Sequence, residues 1–323
     1  MSNRRWGKAK NRDIGSIIAM KLASEGRSCI FEDDRIKLRE ESVKSYLESF
    51  LSNDIARSHD NRMPKIRKRV VCCGSSQSLY CSYCCRMLLE EEELPKSVRE
   101  KSIQLPFEVL VLLTDLRNKA TGVHSAALCS NEQVKVLEPG VDNCWYSGNS
   151  IHDFTDDMID TTFLLFPAED SIPLVEVASK IKKIIVLDCK WTRTANSGKL
   201  LPEITKFQKV HLSAPPKESH YWRWHNEGEG MLSTIEAIFY ASWEVWEIGN
   251  KDRDHNLIHL LYIFGIQRAL SGLKAERAGK PFPYSREGKE ERRSQRRCLG
   301  TDKHKRDLER GIWLREQAKL KNG

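Results

Sequence analysis

The sequence predicts an α/β fold with a mostly parallel sheet flanked by helices. Phe107-Glu-Val-Leu-Val-Leu-Leu113, Thr162-Phe-Leu-Leu-Phe166 and Lys183-Ile-Ile-Val-Leu187 are near-continuous apolar runs of strand length, as strands covered on both faces require. Between the last two, Ile172, Val175, Ala178 and Ile181 recur at helical spacing, which is the signature of a βαβ crossover. Helical patterns then close the core.

Taken in order, residues 1–65 read as a peripheral extension. Arg4, Arg5, Lys8 and Lys10 make its start basic, and no apolar segment of leader type follows them, so secretion is not expected. Ile36, Val43, Leu47, Phe50 and Leu51 are spaced for an amphipathic helix over 34–55. Residues 66–94 form a cysteine-rich element led by Arg67-Lys68-Arg69 and followed by a solvated turn at Glu90 to Glu93. The three strands lie in a core of residues 95–273. There, Leu200, Leu201, Ile204 and Phe207 predict a helix after the third strand. Two more helices are expected at Thr234–Trp246 and Leu257–Leu270. Residues 274–323 are a basic tail.

The charge balance is local. The chain has a net charge of +8, and residues 274–323 alone hold 16 Lys and Arg against 8 Asp and Glu, which accounts for all of it. Such a tail attracts polyanions by counterion release without reading sequence, or serves as a solvated segment or import signal. No apolar run approaches membrane-spanning length, so no membrane partner is expected.

Several clusters carry candidate chemistry. Cys72 and Cys73, then Cys81 and Cys84, approximate the paired knuckles of a zinc ribbon, whose thiolates wrap one tetrahedral ion. Val70 stands where a CxxC pair would begin, so Cys72 or Cys85 would supply the fourth ligand; otherwise the thiols are buried or reactive without metal. Leu187-Asp188-Cys189-Lys190-Trp191 ends a buried strand. Ligands of open α/β sheets lie at such carboxyl ends, which makes Asp188 a candidate acid or base beside an indole able to stack. Ser233-Thr234-Ile235-Glu236 fits a capping box, either a plain helix start or one whose amides face a cofactor. Thr121-Gly-Val-His124 follows Arg117 and Lys119, and Tyr221-Trp-Arg223-Trp-His225 mixes aromatic and basic groups in a texture suited to nucleic acid.

Together and in order, these segments resemble the DTW-domain family, within it the eukaryotic tRNA-uridine aminocarboxypropyltransferases of the first of two paralogous types. The matching residues are Cys73-Gly-Ser-Ser, Tyr80-Cys-Ser-Tyr-Cys84, Thr121-Gly-Val-His124, Leu164-Leu-Phe-Pro167, Leu187-Asp-Cys-Lys-Trp191, Tyr221-Trp-Arg-Trp224 and Leu232-Ser-Thr-Ile-Glu-Ala-Ile238. They span roughly residues 70–270. Two positions depart from the family pattern: Lys190 replaces the threonine of Asp-x-Thr-Trp, and Val70 replaces a cysteine.

The resemblance implies a SPOUT-like, knotted α/β fold for the DTW domain at 95–273, with the cysteine element as a zinc ribbon. It implies transfer of the 3-amino-3-carboxypropyl group of S-adenosylmethionine to N3 of a D-loop uridine in tRNA, with Asp188 catalytic. Leu165, Phe166, Pro167, Leu187, Trp191, Ser233, Thr234 and Glu236 would surround the cofactor. Arg67, Lys68, Arg69, Lys119, His124, Lys190, Arg193 and Arg223 would contact RNA, and Cys72, Cys73, Cys81 and Cys84 would hold structural zinc. A nuclear or cytoplasmic location would follow. The rival expectations are a SPOUT-class methyltransferase, a tRNA-binding protein weakened by Lys190, and a zinc-ribbon adaptor for proteins.

Overall fold

A computed structural model describes residues 31–52, 70–114, 116–138, 155–189, 202–222, 231–249, 255–283 and 288 of the chain. Among them, those up to Tyr221 and those at 231–269 belong to one compact unit. Trp222 and the residues from Leu270 onward belong to a second. The helix Tyr262–Arg277 is followed in the second unit by Gly279, whose positive φ of 61° reverses the backbone as helix C-termini favour.

The first unit is organised by six parallel strands. In chain order they are β5 (Glu108–Leu113), β6 (Val134–Leu137), β7 (Thr162–Leu165), β8 (Ile172–Pro173), β9 (Lys183–Asp188) and β10 (Gln208–His211). Two small antiparallel hairpins precede them: β1 (Val70–Cys72) with β2 (Ser75–Gln77), and β3 (Tyr80–Cys81) with β4 (Arg86–Met87). The sheet order is β6-β5-β9-β7-β10-β8, so β5, β9 and β7 are central. Their residues are almost wholly buried: Val111, Leu112, Ile184, Ile185 and Leu164 are each no more than 2% exposed. Each such side chain contributes roughly 1.5–3 kcal/mol by leaving water.

The three expected strands form within a residue or so of their predicted ends. The expected crossover helix is shorter: Ile172 and Pro173 are β8, and only Leu174–Val177 is helical. The helix expected around 200–207 is a 3₁₀ turn, Pro202–Lys206, which leads into β10. Proline has no amide to donate and suits a first turn, and the chain straightens at once to pair with β7 and β8. Because β10 lies between β7 and β8, segment 166–171 bridges from one to the other across it. Phe166 donates its amide to the Val210 carbonyl at 2.9 Å, and Ser171 Oγ lies 2.8 Å from His211 Nδ1.

Among the described residues, the helices that accompany the strands are α1 (Asp33–Ser52), α2 (Lys96–Arg99), α3 (Gly122–Leu128), α4 (Asp156–Ile159), α5 (Leu174–Val177), α6 (Thr234–Ile248) and α7 (Tyr262–Arg277). The last is preceded by a 3₁₀ segment at His255–Leu261, where a plain helix was expected. The supposedly peripheral helix α1 is part of the core. Val43, Leu47 and Phe50 are buried, and the buried Arg39 guanidinium lies over the rings of Tyr240 (4.7 Å) and Trp243 (4.6 Å) of α6. Arg39 Nη2 also donates to the Ala214 carbonyl at 2.9 Å.

Candidate functional site

Strand pleating decides what can meet at the sheet's carboxyl edge. Side chains alternate between faces, and the pairing puts Val111 beside Val186, Leu112 beside Leu187 and Leu113 beside Asp188. Val109, Val111, Ile184, Val186 and Asp188 therefore share one face. Leu110, Leu112, Ile185 and Leu187 share the other, where Leu187 and Phe166 pack against a buried cluster that includes Ile204 and Phe207.

Asp188 is the last residue of β9 and is only 6% exposed. Its Oδ2 accepts the amide of Gly122 at 2.6 Å, and its carbonyl accepts the amide of Thr114 at 3.0 Å. Gly122 opens α3, and the space around it explains its identity. A β-carbon there would stand 2.7 Å from Val111 Cγ1, 2.9 Å from Asp188 Oδ2 and 3.0 Å from Thr234 Cγ2. Strand β5, strand β9 and the start of α6 thus converge on one glycine. Asp188 and Thr234, forty-odd residues apart in sequence, are neighbours.

The start of α6 is closed by its own neighbours. Ser233 and Glu236 form the capping box, and the Ile235 amide donates to Thr121 Oγ1 at 3.4 Å. The fully buried Glu236 carboxylate accepts four bonds: from Ser233 N (2.9 Å), Ser233 Oγ (2.7 Å), Ser219 Oγ (2.8 Å) and His220 N (2.7 Å). Burial pushes its pKa up, against the pull of those donors. The box therefore tethers segment 219–220 to the helix. The amides of 235 and 236 are engaged within the protein rather than left open to a cofactor.

The cysteine element builds a second locus. Cys72 closes β1, and Cys73 (φ 52°) and Gly74 (φ 73°) turn the chain so sharply that adjacent cysteines converge. The Sγ atoms of Cys72, Cys73, Cys81 and Cys84 all lie within 4.8 Å of one another, with Cys72 and Cys84 at 3.8 Å. Four thiolates on one tetrahedral zinc at 2.3 Å would stand roughly 3.8 Å apart, so the donor set fits a metal ion of that kind. Burial opposes ionisation of Cys81, but the amides of Cys84 and Tyr83 bring its thiol down to about 7, towards the ligating form. Cys72 fills the place left by Val70. Cys85 is outside the four, its Sγ turned to the carbonyls of Ser82 (3.9 Å) and Tyr83 (4.0 Å).

A family model described as the DTW domain matches residues 78–264, more than half of the chain. The chain belongs to the DTW-domain family. That family corresponds to tRNA-uridine aminocarboxypropyltransferase-like proteins, tRNA-modifying enzymes. No curated protein and no solved structure matches the chain. The DTW match takes in Cys81, Cys84, Gly122, Asp188 and the capping box, and begins after Cys72 and Cys73.

Within this DTW domain, the predicted site residues separate into groups. Asp188, Ser233 and Thr234 come together, and Leu165, paired with Val186, is on Asp188's face of the sheet. Leu187 and Phe166 turn to the opposite face, and Pro167 lies in the bridge over β10. His124, expected at an RNA surface, is 1% exposed and meets the Tyr80 ring edge-on at 5.1 Å. Lys119 is exposed. Arg67, Lys68, Arg69, Lys190, Trp191, Arg193 and Arg223 lie outside the described residues. Thr121 and Gly122 stand at the junction although the sequence assigns them no role; their signal is a Thr-Gly pair opening a helix after a buried strand.

Proposed function

We propose that this DTW domain transfers the 3-amino-3-carboxypropyl group of S-adenosylmethionine to N3 of a D-loop uridine in tRNA. The observation that carries the reading is the Asp188 carboxylate, oriented by the Gly122 amide at 2.6 Å beside Thr234, at the carboxyl edge of a parallel sheet. S-adenosylmethionine would lie along that edge, against Leu165, Ser233 and Thr234 and the segment that continues to Trp191. Arg67, Lys68, Arg69, Lys119, Lys190, Arg193, Arg223 and the basic tail would face tRNA phosphates. The four cysteines would hold a structural zinc. A SPOUT-type knot is part of the proposal, supported by the bridge at 166–171 across β10. A nuclear or cytoplasmic location fits a tRNA substrate.

In this reaction N3 attacks the Cγ carbon of the aminocarboxypropyl arm and the Cγ–S bond breaks. The sulfonium electron pair leaves with 5′-methylthioadenosine, and the N3 proton passes to a base. Uridine N3–H is roughly five units less acidic than a free carboxylic acid, so complete prior deprotonation by Asp188 would cost about 7 kcal/mol. Removal of the proton as the bond forms avoids most of that cost. The harder demand is regiochemical, because the sulfonium methyl is the less hindered carbon. A carboxylate fixed by a backbone amide, on rigid strands, supplies the alignment that directs attack to Cγ.

Incubating the full-length protein with tRNA and S-adenosylmethionine, then digesting the tRNA for nucleoside mass spectrometry, tests the proposal. An aminocarboxypropyl adduct on uridine is the expected product. A methyl adduct would instead identify a methyltransferase. With Lys190 in place of threonine, tRNA binding without cofactor binding would identify a family member that has lost its chemistry.

A further inference from the structure

The second knuckle, between β3 and β4, is fastened by side chains of neighbouring segments, while Tyr83 at its tip is exposed. Arg117, just past the end of β5, donates Nη1 to the carbonyls of Ser82 (2.7 Å) and Tyr83 (3.3 Å), and its Nε to Glu138 at 2.6 Å. Lys101 Nζ holds the Cys85 carbonyl at 3.0 Å. The Tyr80 ring rests on His124 of α3, the helix whose first amide Asp188 accepts. β5 ends beside Asp188, so Arg117 fixes the knuckle at the same carboxyl edge of the sheet.

At the tip, Tyr83 is 58% exposed, and the Arg117 guanidinium lies 5.8 Å from its ring centroid. The exposed ring thus stands on a turn whose backbone carbonyls are held by Arg117 and Lys101. The free face of such a ring accepts any unstacked nucleobase, and the cation over the ring holds it in place. RNA readers use metal knuckles in this way on single-stranded segments.

We propose that Tyr83 is a stacking platform for an unpaired base of the tRNA, positioning the loop that carries the target at the Asp188 edge. This rests on the reading of the protein as a tRNA modifier. It adds a binding residue outside the cofactor site, one that reads the presence of an unstacked base rather than its identity. Arg117 is a positioning residue for the platform, since its guanidinium is spent on the two carbonyls and Glu138.

The test compares tRNA binding by full-length wild-type protein, Tyr83→Phe and Tyr83→Leu at several salt concentrations. Phenylalanine keeps the ring and is expected within about twofold of wild type. Leucine keeps apolar contact but cannot stack, and is expected to weaken binding roughly tenfold, with an unchanged salt slope. Metal content and melting temperature report whether the knuckle stays intact. Photocrosslinking of 4-thiouridine-bearing tRNA to unaltered protein gives a readout free of any variant, with adducts expected on the peptide around Tyr83. Wild-type affinity in Tyr83→Leu, or crosslinks only elsewhere, overturns the platform; a protein ligand whose capture needs Tyr83 while tRNA does not would do the same. Failure of wild-type protein to bind tRNA overturns both readings. Tyr83-dependent binding with no transferred group leaves the platform standing and removes the proposed activity.

Discussion

The Gly122 amide and the Asp188 carboxylate meet at 2.6 Å, and this single bond joins α3 to β9 where the start of α6 also arrives. The bond holds the start of α3, and the proposed proton-accepting role of Asp188 is separable from it. Asp188→Asn can still accept the Gly122 amide, whereas Asp188→Ala cannot. Both variants are expected to lose transfer, with tRNA binding within a few fold of wild type, and only Asp188→Ala to lower the melting temperature. Full transfer by Asp188→Asn in a single-turnover assay would take the proton-accepting role from Asp188.

Gly122→Ala forces a methyl into a space bounded at 2.7 Å by Val111, 2.9 Å by Asp188 and 3.0 Å by Thr234. Overpacking of this kind costs about 1–3 kcal/mol. The same methyl would press Asp188 off its amide, so activity should fall by more than stability alone explains. Denaturant unfolding measured beside initial rates checks this; a variant as stable and active as wild type would show that the junction yields freely.

Glu236→Ala removes the acceptor of four hydrogen bonds in a fully buried place. Leaving those donors unpaired is expected to cost about 3 kcal/mol or more, and to release segment 219–220 from α6. Hydrogen exchange at the amides of Ser233 and His220 reports the release directly.

Glu244 of α6 carries a pH dependence. Its carboxylate accepts the amides of Ser213 and Ala214, both at 2.8 Å, and burial raises its pKa from 4.5 to about 7 despite those donors and Arg39. The folded state therefore holds this proton more tightly than the unfolded chain does. Its contribution favours folding below about pH 4.5 and declines as pH rises, until it is lost above about pH 7. The whole span is on the order of 3 kcal/mol. Unfolding free energies of Glu244→Gln should lose that component of the slope between pH 5 and 8.

The four-thiol cluster predicts close to one equivalent of zinc in protein purified without chelators. Cys73→Ser and Cys81→Ser should lose it, while Cys85→Ser retains it, because the Cys85 sulfur faces carbonyls instead. Metal analysis distinguishes the three, and apo-protein should melt lower because binding energy of a structural ion is folding energy.

What could be read in the sequence follows from how local each signal is. The strands at 108–113, 162–165 and 183–188 announce themselves because burial on both faces demands unbroken apolar residues. Gln208-Lys-Val-His211 does not, since only Val210 is apolar, and the segment is a strand because two others flank it. The capping box was legible as Ser-x-x-Glu. Its partners Ser219 and His220, more than a dozen residues upstream, were not, nor was the approach of Gly122 to Asp188 across 66 positions. His124 looked like a surface group beside Arg117 and Lys119. Its burial and the packing of Tyr80 against it show that it faces inward.

The bridge at 166–171 also constrains the order of assembly. Among the described residues β8 pairs only with β10, so it can join the sheet only once residues 208–211 are seated between it and β7. Pairings of this kind between segments distant in sequence slow folding. Once seated, the inserted strand is enclosed on both sides and crossed by a strap, so a protease or a pulling force would meet resistance there that an outer strand could never offer.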